Sequence, residues 1–176
     1  MEEIRLVAPG MEHEAAVKEY IAEHIASGED HLHGSGGLMR YEHYEEWLVR
    51  TRSQQSDKTL EPGLVPASMF FAERVSDGKI VGMIQVRHRL NEYLTQFGGN
   101  IGYGVCPSGR RRGYGTAMLR QALEHCRELG IEKALVTCNQ DNAASAGVIE
   151  KNGGILEDER MEEDGTVVKR YWIDVK

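Results

Sequence analysis

The residues best suited to chemistry in this chain lie together in the run Gly104-Val105-Cys106-Pro107-Ser108-Gly109-Arg110-Arg111-Arg112-Gly113-Tyr114-Gly115-Thr116. Glycine lets the backbone turn tightly and approach a ligand, and the first amides of a helix have no acceptor within it. Added to the positive end of a helix dipole, three arginines at the mouth make such a turn a holder of phosphate oxygens. The G-x-x-x-x-G-K-[ST] pattern of nucleoside triphosphatases is absent, and so is G-x-G-x-x-G, so the usual nucleotide readings fail on spacing.

A turn of this kind works only between a strand and a helix, and the flanking sequence supplies both. Residues 100–105 read as a strand whose glycines at 102 and 104 point to a bulge or a close backbone approach. Residues 113–129 read as a helix with Met118, Leu119, Ala122, Leu123, Cys126 and Leu129 on one face and Gly130 as its stop. Upstream, a short strand at 4–7 precedes an amphipathic helix at 11–27, with Ala15, Val17, Ile21 and Ile25 at near-helical spacing. A loop at 34–37 and an acid-rich helix at 41–54 follow. Strands at 69–75 and 80–89 enclose an Asp-Gly hairpin signal. After the central helix come a strand at 133–137, a helix at 142–152, and strands at 155–162 and 167–175 around Asp164-Gly165. The order β-α-α-β-β-β-α-β-α-β-β predicts one α/β (α+β) domain over 1–176, built on a mixed, mostly antiparallel sheet flanked by helices.

The whole-chain properties narrow the function classes. With 40% hydrophobic and 28% charged residues, the composition is that of an ordinary globular protein. No apolar run reaches the roughly 20 residues of a membrane helix. The opening Met1-Glu2-Glu3-Ile4-Arg5 lacks a secretion pattern, so the expected place is the cytoplasm. A formal charge of −7 disfavours sequence-independent binding to nucleic acid and favours cationic partners. Cys106, Cys126 and Cys138 have neither disulfide nor zinc spacing, and Cys126 and Cys138 read as small buried hydrophobes, so no metal is expected.

The spacing Arg110-x-x-Gly113-x-Gly115, directly after a strand ending in Val105-x-Pro107, resembles the pyrophosphate loop of the GCN5-related N-acetyltransferase (GNAT) superfamily. The order of elements over 68–175 agrees with that resemblance. It implies a GNAT-like twisted sheet, acetyl-CoA as co-substrate and an amine as acceptor, small-molecule or peptide. Residues 1–67 then supply acceptor-side helices and 68–176 the coenzyme A core. The loop positions implied are Arg110, Arg111, Arg112, Gly113, Tyr114, Gly115 and Thr116, with Gly104 and Val105 on the splayed strand before them. A second family element, an Asn ending the next strand and an Asn and Ser opening the next helix, falls on Asn139, Asn142 and Ser145. Asn142 also suits the helix cap. Many relatives form homodimers. One departure stands out: Ile149 occupies the place where many family members carry the Tyr that protonates the leaving thiolate.

Acetyl transfer to an amine needs a neutral nucleophile, because an alkyl ammonium has a pKa near 10. Alternation over 80–89 sets His88 at the end of the apolar row Ile80, Gly82, Ile84 and Val86, as either a structural histidine or a base. Tyr103 on the cofactor strand packs against the sheet or assists the carbonyl or thiolate. Glu73 and Glu92 are the carboxylate candidates, with a surface role as the alternative. The acids Glu29, Asp30, Glu42, Glu45 and Glu46, with His31 and His33, belong to the acceptor half or to a solvated helix face. A non-catalytic acyl-CoA binder is the rival reading, on the strength of Ile149.

Overall fold

A computed structural model describes residues 2–175, so the two ends of the expected 1–176 domain, Met1 and Lys176, lie outside the described residues. Its elements run β1 (Ile4–Val7), α1 (Glu14–Ala26), α2 (Tyr44–Ser53), β2 (Ala67–Arg74), β3 (Ile80–Arg87), β4 (Ile101–Val105), α3 (Tyr114–Glu128), β5 (Lys133–Asn139), α4 (Ala143–Lys151), β6 (Ile155–Met161) and β7 (Val167–Asp174). This is the order expected from sequence, with short 3-10 turns and one π-helical segment, Leu94–Gly98, added. The strands form one seven-stranded sheet in the order β1-β2-β3-β4-β5-β7-β6. Every neighbouring pair is antiparallel except β4 and β5.

That exception shapes the molecule. β4 and β5 keep register only at Ile101 and Val136, assisted by the Asn100 amide on the Leu135 carbonyl at 2.7 Å. Asn100 pins this junction further, because its side chain accepts from the Leu135 amide at 2.9 Å and donates to the Arg87 carbonyl at 3.2 Å. Beyond the junction β4 stays paired to β3 alone, in unbroken register from Gly82–Val105 to Val86–Ile101. There is thus no bulge at the β4 glycines, and its other edge, from Gly102 to Val105, faces an opening toward β5.

The second reading of those glycines, close approach, holds. A side chain at Gly104 would meet the His33 carbonyl at 2.7 Å, and one at Gly34 would meet Gly102, Tyr103 and Met83 backbone at 2.6–2.7 Å. Both glycines let the α1–α2 loop lie directly on β3 and β4.

α3 packs its Met118, Leu119, Ala122 and Cys126 face on the sheet, all fully buried, while Leu129 at the end of that row is 36% exposed. Of these, Met118 and Leu119 each contribute about 1.5–3 kcal/mol of transfer free energy. α1 differs from its predicted face. Val17, Tyr20 and His24 are the buried set and Ile25 is 57% exposed, because His24 is held inward by Glu29 at 2.7 Å and stacks against Tyr20. Trp47 and Phe71, stacked 5.8 Å apart, join α2 to β2.

Candidate active site at the opening between β4 and β5

Side chains alternate along β4, so the opening has two faces of different chemistry. Tyr103 points to the α3 and α4 side, where its hydroxyl meets Ser145 Oγ at 2.8 Å. Burial pushes the Tyr103 phenol up to about 12, although the Ser145 bond pulls the other way. Gly102 and Gly104 point to the opposite side, toward Arg87 and His33.

The turn after β4 leads directly into α3. Arg111 has a φ of 61° and Gly113 one of 85°, two left-handed residues that bend the chain into the helix. A non-glycine residue in that region costs on the order of 1–2 kcal/mol, which the surrounding contacts of the loop must offset. The first amide bond returning into the helix runs from Ala117 to the Gly113 carbonyl, leaving the amides of Tyr114, Gly115 and Thr116 without a helical acceptor. The Tyr114 ring is core, 1% exposed. Gly115 is enclosed, with Val148, Val105 and Tyr103 at 3.3–3.8 Å from where a side chain would begin.

The three arginines play different parts. Arg110 makes a bidentate pair with Glu29 at 2.6 and 2.8 Å and also donates to the Val105 carbonyl. Arg111 and Arg112 lie exposed at the mouth, and Arg112 stands 3.7 Å from Glu2. Two carboxylates from α1 and its end thus grip the loop from beneath. Glu23 accepts from the Ser108 amide at 2.7 Å and from Lys79 at 2.9 Å, and Glu29 holds Arg110 and His24. Glu29 is held at about 2 by the Arg110 bond, with burial opposing and His24 assisting. Burial works against ionisation of Glu23 too, but the Ser108 and Lys79 bonds outweigh it, leaving it at about 2.

Across the opening, Asn142 caps α4 by accepting from the Ser145 amide at 3.0 Å, so the cap and the family position coincide on one residue. Asn139 is exposed at the end of β5. Ile149 is fully buried, and Gly154 packs against it.

The other candidates are not brought to the opening. His88 turns toward β2, where Ser68 Oγ lies 2.8 Å from its Nε2 and 3.0 Å from His125 Nε2 near the end of α3. Burial, with His125 nearby, lowers the His88 pKa. Glu73 sits on β2, two strands from β4, bound to Arg5 at 2.6 Å and 3.7 Å from His13. Glu92 is exposed in the turn before the π-helical segment. His31 and His33 pack edge to face, 4.6 Å apart, on the α1–α2 loop.

The residues missed from sequence lie on the Gly102 face. Gln85 is 8% exposed, and Arg87 lays its guanidinium over Gly102 while Nη1 donates to the Gly98 and Gly99 carbonyls at 3.0 and 3.1 Å. The π-helical segment that presents those carbonyls is itself fixed by Arg170, which donates to the Thr95 carbonyl at 2.9 Å, and by Thr137 on the Phe97 carbonyl at 2.7 Å. Alternation along 80–89 places Gln85 and Arg87 on the face opposite His88, but nothing local marks that face as the open one.

A mixed sheet parted between its two parallel strands, with a glycine-rich turn and a helix start at the mouth, defines the N-acetyltransferase class of fold. The acetyltransferase (GNAT) family profile matches residues 37–154, more than half of the chain. A mycothiol acetyltransferase of Streptomyces avermitilis is 29% identical over 113 residues, 64% of this chain and 35% of that protein. RimL, a ribosomal-protein α-N-acetyltransferase solved with coenzyme A, superposes with a TM-score of 0.69 at 18% identity over 98% of this chain and 94% of its own. MccE, a microcin self-immunity acetyltransferase solved with acetyl-CoA and AMP, gives 0.70 at 13% identity over 99% and 94%.

The chain belongs to the acetyltransferase (GNAT) family. It spans about a third of the length of the curated relatives it matches, 35% of the Streptomyces avermitilis protein. Among the described residues no helix is long and apolar enough to cross a membrane, and no cluster of three or more His, Cys, Asp or Glu side chains could hold a metal ion.

Proposed function

We propose that this chain is an acetyl-CoA-dependent N-acetyltransferase in which an amine attacks the thioester directly. The observation that carries it is the β4 edge from Gly102 to Val105, which has no strand partner beyond the Ile101–Val136 junction and opens beside the free first amides of α3. An extended amide-bearing arm fits such an edge as a strand would, and a pyrophosphate fits the helix start. Acetyl-CoA supplies a thioester carbonyl as electrophile and a thiolate as leaving group.

Each part of the chain has a task in that reading. The amides from Arg111 to Thr116 hold the pyrophosphate, and Arg111 and Arg112 add positive charge at the mouth. Arg110 acts from behind, fixing the loop to Glu29 rather than reaching the phosphates. The β4 edge at Gly104 and Val105 borders the pantetheine arm, with the Val105 amide, which faces β5, as its donor to it. Asn139, Asn142 and Ser145 border the arm on the α4 side. Tyr103 donates its hydroxyl proton toward the departing sulfur, doing from β4 what a tyrosine at Ile149 does from α4 in many relatives. Its raised pKa keeps the proton in place through neutral pH. With His88 and Glu73 committed elsewhere, the amine gives its proton to water.

Isothermal titration with acetyl-CoA, followed by thiol release against a panel of amines, tests the proposal. Micromolar binding with amine-dependent release is expected. Binding without release from any amine favours the acyl-CoA binder, and no binding rejects both.

A further inference from the structure

Arg87 is the cation on the Gly102 face whose charge the chain leaves unmatched. It is half-buried, and among the described residues no carboxylate lies within ion-pair distance of it. Its Nη1 is occupied by the Gly98 and Gly99 carbonyls. Nη2 stands 3.5 Å from the point where a side chain at Gly102 would begin, and neither Nη2 nor Nε has an acceptor among the described residues. Other arginines of the molecule are treated differently. Arg170, also buried, has Glu157 and Asp158 at 2.6 Å, and Arg110 has Glu29. Burial lowers the Arg87 pKa, with only the Tyr93 phenol acting against it, and no acid contributes. Burying a guanidinium without a counter-charge is costly, and a fork of free N–H groups matches one ligand geometry well, the planar carboxylate.

Its position gives that vacancy a meaning. Gly102 is the first β4 residue past the Ile101–Val136 junction, so the guanidinium sits where the two parallel strands part. It lies on the face opposite Tyr103, α4 and the helix start, hence opposite the side on which the proposed function places acetyl-CoA. The glycine beneath it lets the guanidinium lie close over the strand, with its free edge turned to the opening. Gln85, directly across from Gly102 and almost fully buried, offers an amide on the same face.

We propose that Arg87 binds the carboxylate of the acceptor, so that the amine acetylated by this protein belongs to a molecule that also carries a carboxylate, such as an amino acid. The inference rests on the acetyltransferase reading and deepens it. It also departs from the expectation drawn from net charge: the acidic surface favours cationic partners, but the group facing the opening is a cation.

The test pairs each of the standard L-amino acids with its amide. Binding to the wild-type protein saturated with coenzyme A is measured by calorimetry, and turnover by thiol release from acetyl-CoA. At least one acid is expected to bind and react about ten- to a hundredfold better than its amide, the ratio a charge-assisted bidentate pair supplies. Arg87→Gln, which keeps a donor for the Gly98 carbonyl, is expected to erase that ratio by raising KM for the acid while leaving the amide and the coenzyme A affinity unchanged. Amides equal to acids, no amino acid bound by a protein that binds coenzyme A, or an Arg87→Gln variant that keeps the preference would each overturn the carboxylate site. Loss of coenzyme A binding by the wild type would instead reject the acetyltransferase reading itself.

Discussion

Tyr103 faces the α4 side of the opening with its hydroxyl on Ser145, and in the proposed function it takes the proton-donor task for which Ile149 has no group. Removing a positioned proton donor costs about a hundredfold or more in rate. Tyr103→Phe is therefore expected to lower kcat by about that factor with little change in coenzyme A affinity, as steady-state thiol release and calorimetry would show. An unchanged kcat would assign the hydroxyl to packing. Because the phenol titrates at about 12, the rate should carry no loss from this group below pH 11, and its rise with pH should follow the acceptor amine alone. The same reasoning makes His88→Ala and Glu73→Ala nearly neutral for kcat, since Ser68, His125, Arg5 and His13 hold those side chains away from the opening. The place of Tyr103 on the strand before the loop was readable in sequence, with packing and assistance both left open. The chemistry of Arg87 was not, because the missing carboxylate is a fact about neighbours brought in from residues 98–102.

The turn into α3 was the most legible element, since its glycine spacing has few other uses. What the sequence did not disclose is how the turn is held. Glu29, read with the acceptor half or a solvated helix face, and Glu23, which the sequence did not single out, are the two anchors beneath it. Both carboxyls titrate near 2 in the folded chain against an ordinary 4.5. A depressed folded pKa means stability that is present above the unfolded value and lost as pH falls. The melting temperature should therefore drop between about pH 4.5 and pH 2, and a Glu23→Gln, Glu29→Gln double variant should start lower and fall less steeply across that window. The two loop glycines separate by mechanism. Gly113→Ala forces a side chain into a backbone with φ of 85° and should cost about 1–2 kcal/mol of stability as well as cofactor affinity. Gly115→Val adds bulk against Val148, Val105 and Tyr103, prying α3 from α4 at a cost of about 1–3 kcal/mol. The π-helical segment Leu94–Gly98 left no periodic signal because Arg170 and Thr137, distant in sequence, shape it through its carbonyls.

At the scale of the molecule, the order of elements along the chain and a mostly antiparallel sheet were read from sequence, while the pairing order of the strands was not and the parting of β4 from β5 was only implied by family resemblance. That parting fixes a kinetic property. One face of the opening carries Tyr103, α4 and the loop amides, and the other carries Gln85, Arg87 and the α1–α2 loop, so under the proposed function donor and acceptor enter from opposite sides and must be present together. Initial rates measured over a grid of acetyl-CoA and amine concentrations should give intersecting reciprocal lines. A ping-pong route would need a nucleophile to hold the acetyl group, and the thiol on the α4 face is Cys138, 8% exposed and made less acidic by burial. A thiol with a raised pKa carries little thiolate at neutral pH and is a poor acyl acceptor. Cys138→Ala should therefore keep kcat within about threefold and leave the intersecting pattern intact, apart from the roughly 1 kcal/mol of stability that a lost buried sulfur costs. Parallel lines in the wild type, together with inactivity of Cys138→Ala, would replace direct attack by an acetyl-cysteine route.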